Sequence, residues 1–317
     1  MLTIDFLNVG DGDAILVRER YAGRPDFVVL VDTGRPDVEF SQGCLRRAAI
    51  SHLMKLQLDH IDLMILTHLH FDHIGGALRI LRNIPVKRLL VGYLPPEHAR
   101  WIIPPSFETK TVAGLCEALN LLLDIVACAR EGGSEVAVVE SGVLPLTGAL
   151  YAEITTADEQ LLARQKDLFD ALYRGESPDN QQIYDVSKER NCSSMIMRLC
   201  YAQRSVLLTG DSYAEYWENR DGQTCDILKL PHHGDEKSMT QQLLQKLAPT
   251  YAVISCQHDE GSHKDRPAAC VIALLQQFGV YTVCTENREM PGLASVTHER
   301  VTFCIHGSGQ IDAPHPC

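Results

Sequence analysis

The sequence of 317 residues has no excess of basic residues. It contains 29 lysines and arginines against 41 aspartates and glutamates, which gives a formal net charge of -12 at pH 7. Non-specific affinity for nucleic acid comes mainly from neutralising phosphates with lysine and arginine, so the net charge argues against a broad basic face for nucleic acid. A phosphodiester is not excluded as a ligand, because divalent cations in a pocket would create a local positive field.

Long hydrophobic runs are also missing. The longest apolar stretches, such as 119–129, are interrupted by Asp124 and are too short to span a bilayer. The N-terminal segment carries Asp5 among its apolar residues and has no basic residues ahead of them, which is typical of a first strand and not of a signal peptide. We therefore expect no membrane insertion and a cytoplasmic location.

None of the eleven cysteines forms a C-x-x-C pair. Their number is odd and most of them lie in apolar segments, which predicts reduced thiols in the core. Cys192 differs, because it lies in a polar segment where a thiol could bind zinc or could simply fill space.

The sequence is instead rich in metal-binding residues at one point. A predicted buried strand at 61–66 is followed by three histidines and an aspartate within six residues, His68, His70, Asp72 and His73. Side chains alternate in an extended chain, so His68 and His70 project to one side and can bind one cation. The turn that follows delivers Asp72 and His73 to a neighbouring cation. The pattern predicts a site for two metal ions.

Three later segments extend this site. A predicted strand at 205–208 ends in Gly-Asp, which places Asp211 where a carboxylate can bridge two cations. Another strand ends in the pair His232 and His233, of which one can complete the second metal site while the other faces the substrate. The segment from Asn191 to Ser194 precedes a further strand and places polar side chains at its entry to the cleft.

Short strand-like segments recur along the chain, with helices between many of them. Strands are predicted at 2–9, 14–18, 27–31, 61–66, 88–92, 195–201, 205–208, 227–230, 251–255, 281–284 and 301–305. Helices are predicted at 115–130, at 158–174, from a capping box at Ser238 to before Pro249, and from Pro267 to Phe278. This order predicts an α/β fold in which two packed sheets are covered by helices.

We interpret 1–317 as a single domain. Its region at about 95–190 contains two predicted helices and differs from the rest of the pattern. It could be a lid, a substrate-binding insertion or the outer helices of the fold.

Together these segments resemble the metallo-β-lactamase superfamily, and within it the hydrolase domain of ComEC-type competence proteins. The resemblance runs from end to end. It is carried by residues 6–14 (FLNVGDGDA), 31–34 (VDTG), 68–73 (HLHFDH), 191–194 (NCSS), 208–211 (LTGD), 230–234 (LPHHG) and 253–263.

The resemblance implies a four-layer αββα sandwich and hydrolysis by two divalent metal ions, usually zinc or manganese. It implies a first metal site of His68, His70 and Asp211, and a second of Asp72, His73, Asp211 and a late histidine. For that histidine His233 is preferred to His232. Asn191 stands where many members have a further histidine, and Asn191, Ser194 and Asp32 are expected to bind substrate.

The expected chemistry is attack by a hydroxide that two cations generate from water. Asp72 could orient this nucleophile as well as bind metal, and His232, Lys229 and His263 are candidates to protonate the leaving oxygen. We predict a phosphodiesterase, with DNA as the favoured substrate. A small-molecule hydrolase acting on a phosphocholine-type diester or a lactone is the alternative enzyme, and a structural metal-binding module is the alternative that is not an enzyme.

A basic tract follows the histidine-rich motif and bears on the choice of substrate. It could be a contact strip for a nucleic-acid backbone or a solvated helix face. Its members are Arg79, Arg82, Lys87 and Arg88. The sequence predicts nothing about the oligomeric state or a partner protein.

Overall fold

The computed structural model describes residues 1–38, 45–105, 109–218, 224–257, 266–286, 293 and 299–316. Fifteen strands in these ranges form two mixed sheets. The first sheet has the order β15-β14-β1-β2-β3-β4-β5-β6, and the second has the order β13-β12-β11-β10-β9-β8-β7.

The strands of the first sheet are β1 (Leu2–Leu7), β2 (Ile15–Glu19), β3 (Phe27–Val31), β4 (Ile61–Leu66), β5 (Val86–Val91), β6 (Glu135–Val138), β14 (Arg300–Ile305) and β15 (Ile311–Pro316). Those of the second are β7 (Gly142–Pro145), β8 (Leu150–Thr155), β9 (Ile196–Tyr201), β10 (Arg204–Leu208), β11 (Ile227–Lys229), β12 (Tyr251–Ile254) and β13 (Tyr281–Cys284). The helices are α1 (Ala49–Lys55), α2 (Phe71–Ile74), α3 (Ala77–Leu81), α4 (Lys110–Glu131), α5 (Glu159–Tyr173), α6 (Asn180–Lys188), α7 (Gln241–Leu247) and α8 (Ala269–Gln277).

The alternating side chains of the strands build the layers. In β4, Leu63 and Ile65 belong to the apolar cluster between the sheets, whereas Met64 and Leu66 belong to a second cluster that includes residues of α1 and of α3 to α6. A third cluster joins the other sheet to α7 and α8. This is the four-layer αββα sandwich that the resemblance implied, and the predicted fold class is confirmed.

Helix α4 lies in the outer helical layer, and its apolar side chains pack against the first sheet. It is the one helix in the described ranges that is long and apolar enough to cross a membrane, and 56% of its most apolar window is buried inside the fold. Leu115, Leu119 and Leu122 are fully buried against the first sheet. Its composition is therefore accounted for by packing.

The region at 95–190 contains more than helices. Its helices α4, α5 and α6 contribute buried residues to the cluster over the first sheet. Three strands that the sequence pattern did not predict, β6 to β8, also lie in it: β6 is an edge of the first sheet, β7 is an edge of the second, and β8 lies next to β7. The predicted capping box at Ser238 is wrong, because α7 begins at Gln241 and is capped by Thr240, whose hydroxyl accepts from Leu243 N at 3.1 Å.

Strand direction brings the polar segments to one edge of the sandwich. Strands β3, β4 and β5 run parallel in the first sheet, and β10, β11 and β12 run parallel in the second. The carboxyl ends of parallel strands meet at the same edge of a sheet, which is where open α/β sheets bind ligands. The four segments that the sequence analysis singled out for the metal site lie at this edge: three follow β4, β10 and β11, and the fourth precedes β9, which is antiparallel to β10.

Candidate metal centre

The first donor set is built at the end of β4. His70 is the residue that precedes α2, and its Nδ1 lies 3.0 Å from Nε2 of His68. The two rings are nearly perpendicular, with centroids 4.8 Å apart. Asp211, from the segment after β10, places an oxygen 3.9 Å from Nε2 of His68. One ligand atom from each of His68, His70 and Asp211 lies within 4.8 Å of the others.

The second donor set shares Asp211 with the first. It consists of Asp72, His73, Asp211 and His233, whose ligand atoms also lie within 4.8 Å of one another. His73 Nε2 is 3.3 Å from one oxygen of Asp211, and His233 Nε2 is 3.6 Å from the other. His233 Nε2 is also 3.5 Å from Asp72. A carboxylate common to two donor sets can bridge two cations.

Three buried atoms of the second set show that it fits a cation. His73 Nε2, His233 Nε2 and Asp211 Oδ1 have no hydrogen-bond partner among the residues that the structure describes. Buried polar atoms are nearly always hydrogen-bonded, so an unpartnered group calls for an explanation such as an ion. Two imidazole nitrogens and a carboxylate oxygen are the donor types that zinc and similar divalent ions prefer.

The rings of the first set are neutral at neutral pH. Burial, together with the nearby His73, keeps the pKa of His68 well below its usual range. Burial and the nearby Arg190 guanidinium lower the pKa of His70 to about 3. Because a metal ligand must be deprotonated, both rings are ready to bind a cation.

The second set attracts positive charge strongly. Burial lowers the pKa of His233, but the Asp211 carboxylate outweighs it and raises that pKa to about 10. The same balance raises the pKa of His73 well above its usual range, with Asp211 and Asp32 as the attracting charges. Burial raises the pKa of Asp211, yet His73 and His233 hold it well below the ordinary value. The cluster therefore stabilises positive charge between its carboxylates.

Asp32 lies behind His73 and not in the cleft. Its backbone is left-handed (φ 57°), and its oxygens accept hydrogen bonds from Thr67 N at 2.8 Å, Thr67 Oγ1 at 2.7 Å and His73 Nδ1 at 2.7 Å. Only 1% of the residue is exposed. This placement does not support the substrate contact that we expected of Asp32. It orients the ring of His73, as outer carboxylates commonly do for metal-binding histidines.

Lys229 is also inside the protein. Its side chain has no exposed surface, and its ammonium group forms an ion pair with Asp13 and donates to the Gly210 carbonyl oxygen at 3.0 Å. It lies 3.9 Å from Asp211. These contacts leave Lys229 no access to a leaving group, so the expected proton-donor role is not supported. Asp13 was missed as a site residue, although it lies in the glycine-rich segment that carried part of the resemblance.

The turn after β11 places Nε2 of both its histidines near the same oxygen of Asp211, that of His233 at 3.6 Å and that of His232 at 3.9 Å. His232, His233 and Gly234 are all left-handed, with φ of 46°, 57° and 78°. This conformation costs an L-residue about 1–2 kcal/mol, so the turn must be held by its surroundings. His233 Nδ1 donates to the Ser255 carbonyl oxygen at 2.8 Å, which aims its Nε2 at the second donor set. This geometry agrees with the expectation that His233, in preference to His232, belongs to the second metal site.

His232 differs from His233 in its other contacts. Its Nε2 is 3.3 Å from Asn191 Nδ2, and its ring meets Tyr213 edge to face at 5.0 Å. Burial lowers the pKa of His232 to about 4, although Asp211 acts in the opposite direction. A ring that is neutral at pH 7 suits an acceptor better than the proton donor expected of His232. His263, the other histidine proposed for that role, lies outside the described residues.

Asn191 and Ser194 differ in what they face. Asn191 Nδ2 donates to the Tyr213 hydroxyl at 3.3 Å, and its Oδ1 has no hydrogen-bond partner in the described ranges. Asn191 is therefore placed to bind substrate or the first cation. Ser194 is buried, and its hydroxyl accepts from Asp211 N at 3.1 Å, a placement that does not support the expected contact with substrate. Tyr213 was missed because a single tyrosine in a loop carries no pattern.

Arg190 supports the first donor set from behind. Its guanidinium donates to the carbonyl oxygens of Leu69 and Gly114, both at 3.1 Å, and to that of Ser187. Leu69 separates His68 from His70, so Arg190 fixes the segment that carries both rings.

Two members of the basic tract lie away from this edge. Lys87 and Arg88 belong to the first half of β5, which is the end of the strand away from the metal centre. Lys87 pairs with Asp62 at 2.7 Å and Arg88 with Glu135 at 3.2 Å. The interpretation of these two residues as a phosphate contact strip is not supported.

Comparisons with known proteins agree with the geometry. The profile of the family described as Metallo-beta-lactamase superfamily matches residues 7–258. ComE operon protein 3 of Bacillus subtilis (strain 168) is 26% identical over 301 residues, which cover 90% of this chain and 32% of that protein. This chain thus spans about a third of that relative's length.

Solved structures with the same fold are more distant. The metallo-beta-lactamase fold protein YhfI from Bacillus subtilis is 12% identical with a TM-score of 0.49, and the match covers 90% of this chain and 96% of that one. A diphosphatase from the PhnP family is 14% identical with a TM-score of 0.43, covering 82% and 88%. On the strength of the profile match over most of its length, the chain belongs to the metallo-beta-lactamase superfamily and is a metal-dependent hydrolase of that group.

Proposed function

We propose that this protein is a metal-dependent phosphodiesterase that uses two divalent ions. The observation that carries the proposal is the sharing of Asp211 by two donor sets, one of which contains three buried atoms without partners. Structural zinc sites are usually closed and rich in cysteine. These donor sets are made of histidine and aspartate and contain no cysteine, which favours catalysis over a structural module.

The two cations, when bound, would lower the pKa of a water molecule and stabilise negative charge on the attacking and leaving oxygens. Within the chain, Asp72 is the carboxylate best placed to orient that water. Its side chain is 17% exposed, against 2% for Asp211, so it is the one that borders solvent. His233 and His73 keep its pKa well below the ordinary range although burial raises it, so Asp72 is charged and can accept a hydrogen bond from the nucleophile.

The resemblance of the motifs to ComEC-type hydrolase domains supports a phosphodiester as the reacting group, with DNA as the first substrate to test. A small phosphodiester or a lactone is the second candidate. Two observations favour a small substrate: the pairing of Lys87 and Arg88 with carboxylates, and a mainly apolar cavity beside His68.

The test is hydrolysis of single-stranded DNA, double-stranded DNA and bis(4-nitrophenyl) phosphate by the purified protein with added manganese or zinc. Asp72→Ala is expected to lose activity by about a hundredfold or more, because a positioned acid or base typically contributes that much. Asp167→Ala, which removes an exposed aspartate of α5, serves as the matched control and is expected to keep full activity.

The outcomes separate the hypotheses. If folded, metal-loaded wild type hydrolyses none of the three substrates, the phosphodiesterase proposal is wrong. Hydrolysis of bis(4-nitrophenyl) phosphate without cleavage of DNA would reject the nuclease and retain the small-substrate enzyme. Loss of hydrolysis in Asp72→Ala with an unchanged circular dichroism spectrum would reject the structural module.

A further inference from the structure

A cavity of about 640 Å³ lies beside the metal centre, between α5 and the neighbouring edge of the sandwich. Thr67, His68 and Leu69 line one part of it, so it shares His68 with the first donor set. Ser193, from the segment that carries Asn191, lines it as well. Its volume is within the range of small-molecule sites, about 300–1,000 Å³.

The inner wall is apolar. Tyr93, Val139, Phe169 and Met195 line it, and each is buried. The rings of Tyr93 and Phe169 meet edge to face at 5.2 Å, and the Tyr93 hydroxyl donates to Asp170 at 2.6 Å, so that hydroxyl is satisfied within the protein. Water is poorly held by such a wall, and its displacement by an apolar group is favourable.

The charges around the cavity disfavour an anion. Glu140 and Glu159 line it and are exposed. Lys166 is the one lysine or arginine among the described lining residues, and its ammonium group is held by Asp170 at 2.5 Å. A phosphate group would meet repulsion here, and attraction at the two donor sets when these hold cations. The cavity and the metal centre therefore suit different parts of one ligand.

From this arrangement we infer that the cavity binds an uncharged aromatic or aliphatic substituent of the substrate, while the charged reacting group lies at the metal centre. The inference rests on the proposed phosphodiesterase function for the identity of the reacting group. The substrates would then be phosphodiesters that carry a bulky apolar substituent.

Ala163 allows the cavity to be filled from outside. It is an exposed residue of α5 that lines the cavity, so Ala163→Trp adds an indole there without replacing a core side chain. Gln160→Trp is the matched control, because Gln160 is exposed on the same helix and does not line the cavity. Circular dichroism of both variants verifies that they fold.

The first measurement is binding of N-phenyl-1-naphthylamine, an uncharged aromatic probe whose fluorescence rises in apolar sites. Wild type and Gln160→Trp are expected to bind one equivalent saturably, and Ala163→Trp to bind it about tenfold more weakly or not at all, since a filled pocket loses its ligand contacts. Absence of saturable binding by wild type, or equal binding by all three proteins, would overturn the inference.

The second measurement is hydrolysis of bis(4-nitrophenyl) phosphate. Ala163→Trp is expected to raise KM about tenfold with little change in kcat, because binding of the substituent is lost while the reacting groups stay in place. The probe is expected to inhibit wild type competitively. An unchanged KM, or a fall in kcat alone, would contradict the role in substrate binding.

Failure of the two proposals can be told apart. Probe binding that is sensitive to Ala163→Trp, in a protein that hydrolyses no phosphodiester, would reject the phosphodiesterase and leave an apolar ligand site beside His68. Hydrolysis that neither the probe nor Ala163→Trp affects would retain the phosphodiesterase and reject the cavity as its substituent site.

Discussion

Lys229 carries its positive charge where solvent cannot reach it, and its partner Asp13 is equally buried. Removing one member of such a pair leaves an uncompensated buried charge, which costs about 3–5 kcal/mol. We expect Lys229→Met to lose that much stability in urea unfolding. The double variant Lys229→Met with Asp13→Asn should recover most of the loss, because no lone charge remains.

The exposed lysine Lys55, which pairs with Glu299 at 2.7 Å, provides the comparison. Its side chain is 61% exposed, and Lys55→Met is expected to change stability by less than about 1 kcal/mol. A double variant that is no more stable than Lys229→Met alone would show that Lys229 acts mainly through the Gly210 carbonyl and not through Asp13.

The sequence predicted which side chains lie close together, but it did not predict the direction in which each of them points. His68, His70, Asp72, His73, Asp211 and His233 were expected to form two sets, and the structure brings them together. Their roles stay predictions. The orientation of Asp32 could not be predicted, because it depends on a left-handed backbone and on a hydrogen bond to a ring 41 positions away. The inward placement of Ser194 and Lys229 could not be predicted either, because it depends on partners elsewhere in the sequence, Asp211 and Asp13.

The turn between β1 and β2 lies directly against Asp72. A Cβ at Gly12 (φ 135°) would lie 2.2 Å from the Asp72 carbonyl oxygen. At Gly23 (φ 78°), in the turn between β2 and β3, a Cβ would meet nothing within 4 Å. Gly23→Ala is therefore expected to cost only the backbone strain, about 1–2 kcal/mol.

Gly12→Ala has the same kind of backbone strain, and in addition its Cβ would clash with the Asp72 carbonyl oxygen. We expect it to cost at least about 3 kcal/mol in urea unfolding and to weaken zinc binding, because the backbone of Asp72 must move. Zinc affinity is measured by competition with a chromogenic chelator. Equal losses in Gly12→Ala and Gly23→Ala would mean that the contact with Asp72 is not tight.

Elements with a strong pattern were predicted closely, and weak ones were not. Strand β4 occupies 61–66 as predicted because five of its six residues are apolar and buried. Strands β6 and β7 were missed because they are edge strands with little burial; Val138 and Val143 are 44% and 66% exposed. Without a buried face there is no apolar alternation to detect. The register of such edges is decided by neighbours that are distant in sequence.

The candidate metal centre is built from residues of both sheets. His68, His70, Asp72 and His73 follow β4 of the first sheet, whereas Asp211 and His233 follow β10 and β11 of the second. A cation held by both groups links the sheets at one edge. Its binding energy then adds to the stability of the whole sandwich, because the unfolded chain does not bring the donors together.

Removal of metal should accordingly lower the melting temperature. A ligand at a hundred times its Kd stabilises the folded state by about 2.7 kcal/mol. For a protein of this size each kcal/mol corresponds to about 2 °C, so a chelator is expected to lower the Tm of the metal-loaded protein by about 5 °C. Differential scanning calorimetry, with and without chelator, measures this shift.

The variant Asp211→Asn decides whether the shift comes from a centre shared by both sheets. Asp211 is the one residue common to both donor sets, so its loss should abolish most of the response to metal. Asp72→Ala removes a donor of the second set only and should keep part of it. A full chelator shift in Asp211→Asn would place the stabilising ion elsewhere. No shift in metal-loaded wild type would mean that each sheet holds its donors without help from the ion, and that the cations serve chemistry alone.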